Sequence, residues 1–431
     1  MIRTLTFAVT MGVAAGTPAW ADPMSVLFVG NSYTFGRVDP VMSYNAANVR
    51  DLTAPVPGTS FANTVGSNAF EPHPWGGVPG IFKKLAVQAG LNVDVALSTR
   101  NAASLRGHML NTNLADWDLR GNLARQTWDK VVLQEQSDEP LSLRPGLASN
   151  PARFKNYVDK IAEYLKQGTL ATYRERDYYE GATTTEKTNN CVAITGATST
   201  TACNAQRGTS TSVSSNFRLP VNPNASDATQ VYLYQTWARP NLVAGAFVTS
   251  TDSVTGAVTR TTTPAATFFP DLATMTSELK ASYEAAFQLA ASDRIGSLAG
   301  IAPVGEAFQR AVDAGVATRD MWAADATTDG LIDLWFDDGT HASRYGSYLA
   351  ALTLFGTLTG IDPWSFGANE EAAFDLGISP LEALKLQSLA SEQLHASAAL
   401  LTRLPCLHAS PRAAAAMAGQ PGIQACGGKA P

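Results

Sequence analysis

Residues 26–33, reading VLFVGNSY, constrain the fold of this chain more than any other stretch. Four apolar residues, Val26, Leu27, Phe28 and Val29, run directly into Gly30, Asn31 and Ser32. A short unbroken apolar run suits a strand buried on both faces, as in a parallel sheet covered by helices. Gly30 allows a sharp exit, because glycine reaches backbone angles closed to other residues. Ser32 then stands just past the carboxyl end of a first, central strand, where open α/β sheets bind ligands. A serine so placed is a candidate nucleophile, provided a base reaches it.

The rest of the chain alternates in the same sense. Residues 93–97, 129–133, 230–234 and 298–304 read as further strands. Apolar residues at helical spacing predict helices over 79–89, 154–165, 272–292, 305–314, 345–359 and 380–401, with 98–110 as a loop. This alternation predicts a three-layer α/β/α domain with a central, mostly parallel sheet. Two stretches interrupt it. Residues 168–227 are crowded with Thr, Ser, Asn and Gly, and read either as a loose surface insertion or as a substrate lid. Residues 240–270 form a second insertion, with a hairpin around residues 252–256. We therefore expect one domain over 22–362 carrying both insertions, followed by a helical tail over 363–431, although the length alone would allow two or three domains.

A net charge of −6 and a pI near 5.4 argue against a nucleic-acid partner, which would want a basic face. Arg3, the apolar residues 5–15 and Ala19-Trp20-Ala21 before Asp22 have the layout of a signal peptide over residues 1–21, implying a secreted or periplasmic protein. No later apolar run approaches the ~20 residues of a membrane span. In an oxidising compartment the four cysteines, by sequence locality, predict disulfides Cys191–Cys203 and Cys406–Cys426. No CxxC or zinc-type spacing is present, no phosphate-binding glycine loop follows a strand, and residues 325–330 lack calcium-loop spacing. No metal or cofactor is expected.

The base candidate lies far downstream, in Asp337-Asp338-Gly339-Thr340-His341. Asp338 and His341 are close enough in sequence for the carboxylate to reach the ring within one turn, with Asp337 a competitor for that place. Taken together, the G-N-S and D-x-x-H blocks resemble the SGNH (GDSL-type) hydrolase superfamily, with GNSYT here in place of the commoner GDS. Leu133-Gln134-Glu135-Gln136-Ser137 and Tyr234-Gln235-Thr236-Trp237-Ala238 sharpen the resemblance to an uncharacterised bacterial branch with GNSYT, LQEQS and DGxHxSxxGxY signatures. It covers the sheet-forming parts of roughly residues 25–360.

The resemblance implies a Ser32–His341–Asp338 triad and three oxyanion donors. The first is the Ser32 N–H. The second falls at Ala103, where the family's usual glycine is absent. The third is the Gln136 side chain, with Gln134 or Ser137 taking that role if the alignment shifts. Gln134, Gln235 and Trp237 are candidate substrate contacts at strand ends, with Tyr33, Thr34 and Glu135 beside them. Trp237 could instead be a core residue, and Glu135 a salt-bridged support. His73, His108, His395 and His408 lack any comparable context. The implied activity is a secreted serine esterase, acting on O-acyl groups of carbohydrate, an extracellular polyester or a lipid. A non-catalytic glycan-binding protein and an acyltransferase are the alternatives.

Overall fold

The computed structural model describes residues 22–54, 74–110, 118–169, 171–207, 221–243, 246–251, 258–263, 267–292, 298–326 and 328–398. The expected signal peptide, the Cys406–Cys426 pair and the end of the tail lie outside the described residues. In chain order the strands are β1 (Met24–Gly30), β2 (Arg50–Asp51), β3 (Val93–Thr99), β4 (Lys130–Leu133), β5 (Tyr173–Arg174), β6 (Gln206–Arg207), β7 (Gln230–Tyr234), β8 (Ala246–Thr251), β9 (Val258–Thr263) and β10 (Gly300–Ala302). Six of them form one sheet in the order β10-β7-β4-β1-β3-β2, and every pairing in it is parallel. Without the short edge strand β2, this is the doubly wound order 2-1-3-4-5, whose direction of winding reverses between β1 and β4. Val26 to Val29 are fully buried, as a strand covered on both faces requires.

Helices cover both faces. Gly77–Gln88 and Arg344–Thr359 pack together on one, and Pro151–Gln167 and Leu272–Ser292 on the other. Their ends follow local chemistry. Asn150 caps Pro151–Gln167 by accepting the Arg153 N–H, Pro151 occupies the first turn, and Gly168 closes the helix in the left-handed region. Ser379 and Glu382 form a capping box on Pro380–Ala396. That helix, expected in the tail, buries Leu386, Leu389, Ala390 and Leu394 and packs on Arg344–Thr359. β8 and β9 pair antiparallel, as the expected hairpin requires. No described helix is long and apolar enough to cross a membrane.

Two segments differ from expectation. Residues 98–110 were expected to be loop, but Leu105–Leu110 is helical and buries Leu105, His108 and Met109. The stretch over 171–207 is ordered: a capped helix Thr184–Thr195, a disulfide Cys191–Cys203, and the antiparallel pair β5–β6. Its order comes from the crosslink and from ion pairing, neither of which leaves an apolar period. Glu175, almost fully buried, holds Arg106 at 2.8 Å and Arg153 at 2.7 Å. Burial would raise the Glu175 carboxyl, but Arg106, Arg153 and Arg207 hold it below its ordinary value.

Glu175→Ala strands both guanidinium groups in a largely dry setting, so it should cost ~3 kcal/mol of folding free energy. Urea unfolding of this variant beside Glu175→Gln checks the size, with the glutamine variant expected to lose less.

Candidate active site

Ser32 opens a single helical turn, Ser32–Phe35, at the carboxyl end of β1, beside the point where the sheet's winding reverses. Asn31 caps this turn: its side-chain oxygen accepts the Tyr33 N–H at 3.1 Å. Its amide nitrogen donates to Ala103 O at 3.0 Å. An aspartate could cap the turn in the same way but could not donate to that carbonyl. Beneath the turn, Gln134 Oε1 accepts the Asn31 N–H and the Thr34 hydroxyl, each at 2.9 Å. Gly30 makes room for this approach, since a β-carbon there would collide with Gln134 Oε1 and Thr34 Oγ1.

His341 comes from the loop before helix Arg344–Thr359, which Ser343 caps. Its Nε2 lies 2.8 Å from Ser32 Oγ, across 309 residues of sequence. Its Nδ1 lies 2.6 Å from Asp338 Oδ2. Asp338 Oδ1 also accepts the backbone N–H groups of Thr340 at 2.8 Å and His341 at 2.9 Å. Asp338, not Asp337, is thus the carboxylate on the ring. Partial burial would raise the Asp338 carboxyl, but the bonds from the His341 ring, the His341 and Thr340 amides and the imidazole's charge hold it below its usual range. Gly339, with φ at +63°, supplies the left-handed step this tight loop needs.

The loop is docked from the β7 side. Trp237 Nε1 donates to Thr340 O at 3.0 Å, Asn241 N to Gly339 O at 3.3 Å, and Trp335 Nε1 to Ala238 O at 3.0 Å. Arg239 spans two loops, reaching Ser137 Oγ at 2.9 Å, Asp138 and Thr340 Oγ1.

Several sequence expectations need correction. Gln134 is buried and its amide is consumed internally, so it shapes the serine turn and does not meet substrate. Gln235 is also buried, with its side-chain oxygen accepting the Glu306 N–H at 3.1 Å. Trp237 is fully buried, stacked between Tyr33 at 4.0 Å and Phe308 at 4.9 Å; it is a core residue, not a substrate platform. Ala103 donates its N–H to Arg100 O at 3.1 Å within a turn, so that amide does not face the serine. Ser137 is held by Arg239. By contrast, the Ser32 N–H makes no hydrogen bond among the described residues, as expected at the first position of a helical turn. Gln136 uses its side-chain oxygen to accept the Asp138 and Glu139 N–H groups, and its amide nitrogen makes no hydrogen bond among the described residues.

Thr34, Tyr33 and Glu135 are likewise interior. One Glu135 oxygen accepts the N–H groups of Leu105 at 2.8 Å and Gln136 at 2.7 Å, so it braces the second block against the third. Burial, followed by the neighbouring Glu139, pushes its carboxyl well above the ordinary value. His108 was passed over by sequence reasoning. Its Nε2 meets Gly30 O at 2.8 Å, immediately before the serine turn, and burial pulls the imidazole down to about 4. Had residues 105–110 been read as a helix, the spacing of Leu105, His108 and Met109 would have turned His108 inward.

No protein-family model matches the chain, and no curated protein matches it in sequence. Solved structures do resemble it in shape. A proposed SGNH hydrolase from Slackia heliotrinireducens is 19% identical, with 78% of this chain and 100% of that one covered and a TM-score of 0.33. A DUF4886 family protein from Bacteroides uniformis is 14% identical, with 90% and 100% covered and a TM-score of 0.38. A carbohydrate acetylesterase from Sinorhizobium meliloti is 11% identical, with 86% and 99% covered and a TM-score of 0.28. Likeness at this level carries no argument about chemistry, which rests on the site itself.

Two outcomes follow from the buried groups. Gln134→Leu leaves the Asn31 N–H and Thr34 hydroxyl without an acceptor, which should cost ~2–6 kcal/mol in all, as two unsatisfied buried donors; chemical denaturation reads it. His108, neutral when folded, binds a proton more readily unfolded. Stability should therefore fall as pH drops from about 6.5 toward 4. Melting curves of His108→Gln over that window should be flatter than those of the wild type.

Proposed function

We propose that this protein is a secreted serine esterase of the SGNH type. The observation that carries the reading is the unbroken relay Asp338 Oδ2–His341 Nδ1 at 2.6 Å and His341 Nε2–Ser32 Oγ at 2.8 Å. A serine hydroxyl is a poor nucleophile until a neutral imidazole accepts its proton, and the imidazole needs a carboxylate to fix its tautomer and stabilise its charged form.

In this mechanism Ser32 Oγ attacks the ester carbonyl while His341 Nε2 takes the hydroxyl proton. The Asp338 carboxylate faces the resulting imidazolium. The tetrahedral oxyanion is met by the Ser32 N–H and the Gln136 side-chain amide, donors beside the serine turn and in the adjoining block that make no hydrogen bond among the described residues. Each such donor is worth ~3–4 kcal/mol of barrier lowering when well aimed. Collapse expels the alcohol, which receives its proton from His341. Water, deprotonated by the same imidazole, then releases the acid and restores Ser32. The substrate we favour is an O-acyl group, acetyl in the simplest case, on carbohydrate. The Cys191–Cys203 disulfide supports an oxidising compartment, in line with the leader-like residues 1–21.

Turnover of p-nitrophenyl acetate tests the reading. Ser32→Ala and His341→Ala should each lower kcat by at least ~10³-fold, Asp338→Asn by a similar order, and all three should remain folded. Wild-type rates in Ser32→Ala would remove the esterase assignment.

A further inference from the structure

A cleft of about 490 Å³ lies against the loop that carries His341, between the start of helix Leu272–Ser292, the end of helix Val304–Asp313 and residues 319–322. Its volume falls within the range of small-molecule sites, roughly 300–1,000 Å³. The contact with the base loop is direct. A β-carbon placed on Gly339 would stand 2.6 Å from Trp322 Cζ2, so the indole rests on the Gly339 backbone, between Asp338 and His341. Pro240, also on the cleft wall, precedes Asn241, whose N–H donates to Gly339 O.

The lining has two characters. Trp322, Met321 and Leu272 form an apolar wall, with the Trp322 turn set by Asp320 Oδ1 accepting the Trp322 N–H at 3.0 Å. The lining also includes Gln309, Asp313, Arg319 and Asp320, planar polar groups able to accept and donate in pairs, with Gln309 Nε2 donating to Asp313 Oδ1 at 2.8 Å. Arg319 is exposed and makes no ion pair with any described residue. An acyl chain would leave these polar groups facing hydrocarbon, at a cost. A sugar ring matches both kinds of lining, with C–H groups for the indole and hydroxyls for the carboxylates, amide and guanidinium. The charge of the rim narrows the class further. Asp271, Asp313 and Asp320 outnumber Arg319, so a uronate or phosphorylated chain would be repelled.

We infer that this cleft is a subsite for an uncharged sugar ring neighbouring the acylated one, which makes the substrate an O-acetylated neutral polysaccharide. The inference rests on the esterase reading above and adds the part of the substrate that does not react. Its binding energy would hold the chain while the ester lies at Ser32.

The test compares p-nitrophenyl acetate, acetylated glucomannan and acetylated polygalacturonate. Wild type should favour the neutral polymer over the anionic one. Ala273→Trp, an exposed helix position on the cleft wall, fills the site. It should lower kcat/KM on acetylated glucomannan about tenfold, mainly through KM, while p-nitrophenyl acetate stays within about twofold. Asp313→Lys should shift preference toward the polygalacturonate. Glucomannan kinetics unchanged by Ala273→Trp, equal losses on ester and polymer, wild-type turnover of the small ester without the polymer, or preference for the polygalacturonate would each overturn the subsite. Activity surviving in Ser32→Ala would instead overturn the esterase reading.

Discussion

One side-chain oxygen, Gln134 Oε1, holds the front of this molecule in register. It is the shared acceptor for the Asn31 N–H and the Thr34 hydroxyl, so it fixes both ends of the turn that presents Ser32. It comes from the residue after β4, the strand next to β1, and its backbone N–H donates to Val29 O at 2.9 Å. The sheet thus delivers the acceptor to the turn without any loop between them. Gly30 must lack a β-carbon for the approach, and Asn31 must be able both to donate and to accept. The two blocks GNSYT and LQEQS are therefore one hydrogen-bonded unit. Leaving its donors bare in a buried setting costs ~1–3 kcal/mol each, more than most single contacts return.

A second constraint brings the distant His341 to that unit. Trp237 stacks on Tyr33, the residue after the serine, and donates to Thr340 O, the residue before the histidine. Phe308 closes the stack from behind. Aromatic pairs of this kind add ~0.5–1.5 kcal/mol beyond their area. Their greater effect here is geometric, because a flat stack admits little sliding. The spacing of Ser32 and His341 is set by groups one residue away from each of them, and the Tyr33 ring also meets the His341 ring edge-on, with centroids 5.7 Å apart.

How much of this was legible in the sequence depends on how local the signal is. β7 and the helix Leu272–Ser292 have the bounds that apolar periodicity predicts, because each buries a regular stripe or run. The meeting of Ser32 with Asp338 and His341 was implied by the resemblance carried by the G-N-S and D-x-x-H blocks, since no local pattern links a serine and a histidine 309 residues apart. Which way Gln134, Gln235 and Trp237 point could not be read. All three sit at strand ends, where a side chain can turn into the site or under it, and only the packing of Tyr33, Phe308 and the Gly305 turn settles the matter. A β-carbon at Gly305 would collide with Thr236 O, so the helix start presses directly on the strand end and brings the Glu306 N–H to the Gln235 side-chain oxygen. The ordered excursion over 171–207 escaped for another reason: a disulfide and buried ion pairs make no periodic mark.

That excursion is not electrically separate from the site. Arg153 lies between Glu175 of the excursion, at 2.7 Å, and Glu139, at 3.9 Å. Glu139 closes the turn that begins at Gln136, and its N–H donates to both the backbone and side-chain oxygens of Gln136. Burial lifts the Glu139 carboxyl to about 7, while Arg153 and Arg106 pull it down. Glu175 occupies those same two arginines, and so limits how far they can stabilise a charge on Glu139. The turn carrying Gln136 is therefore held beside two carboxyls, Glu135 and Glu139, and the second feels Glu175, a residue from a segment that contributes no described strand to the central sheet. In this architecture the core places Ser32, Asp338 and His341, and the inserted segment adjusts the field around one of their neighbours.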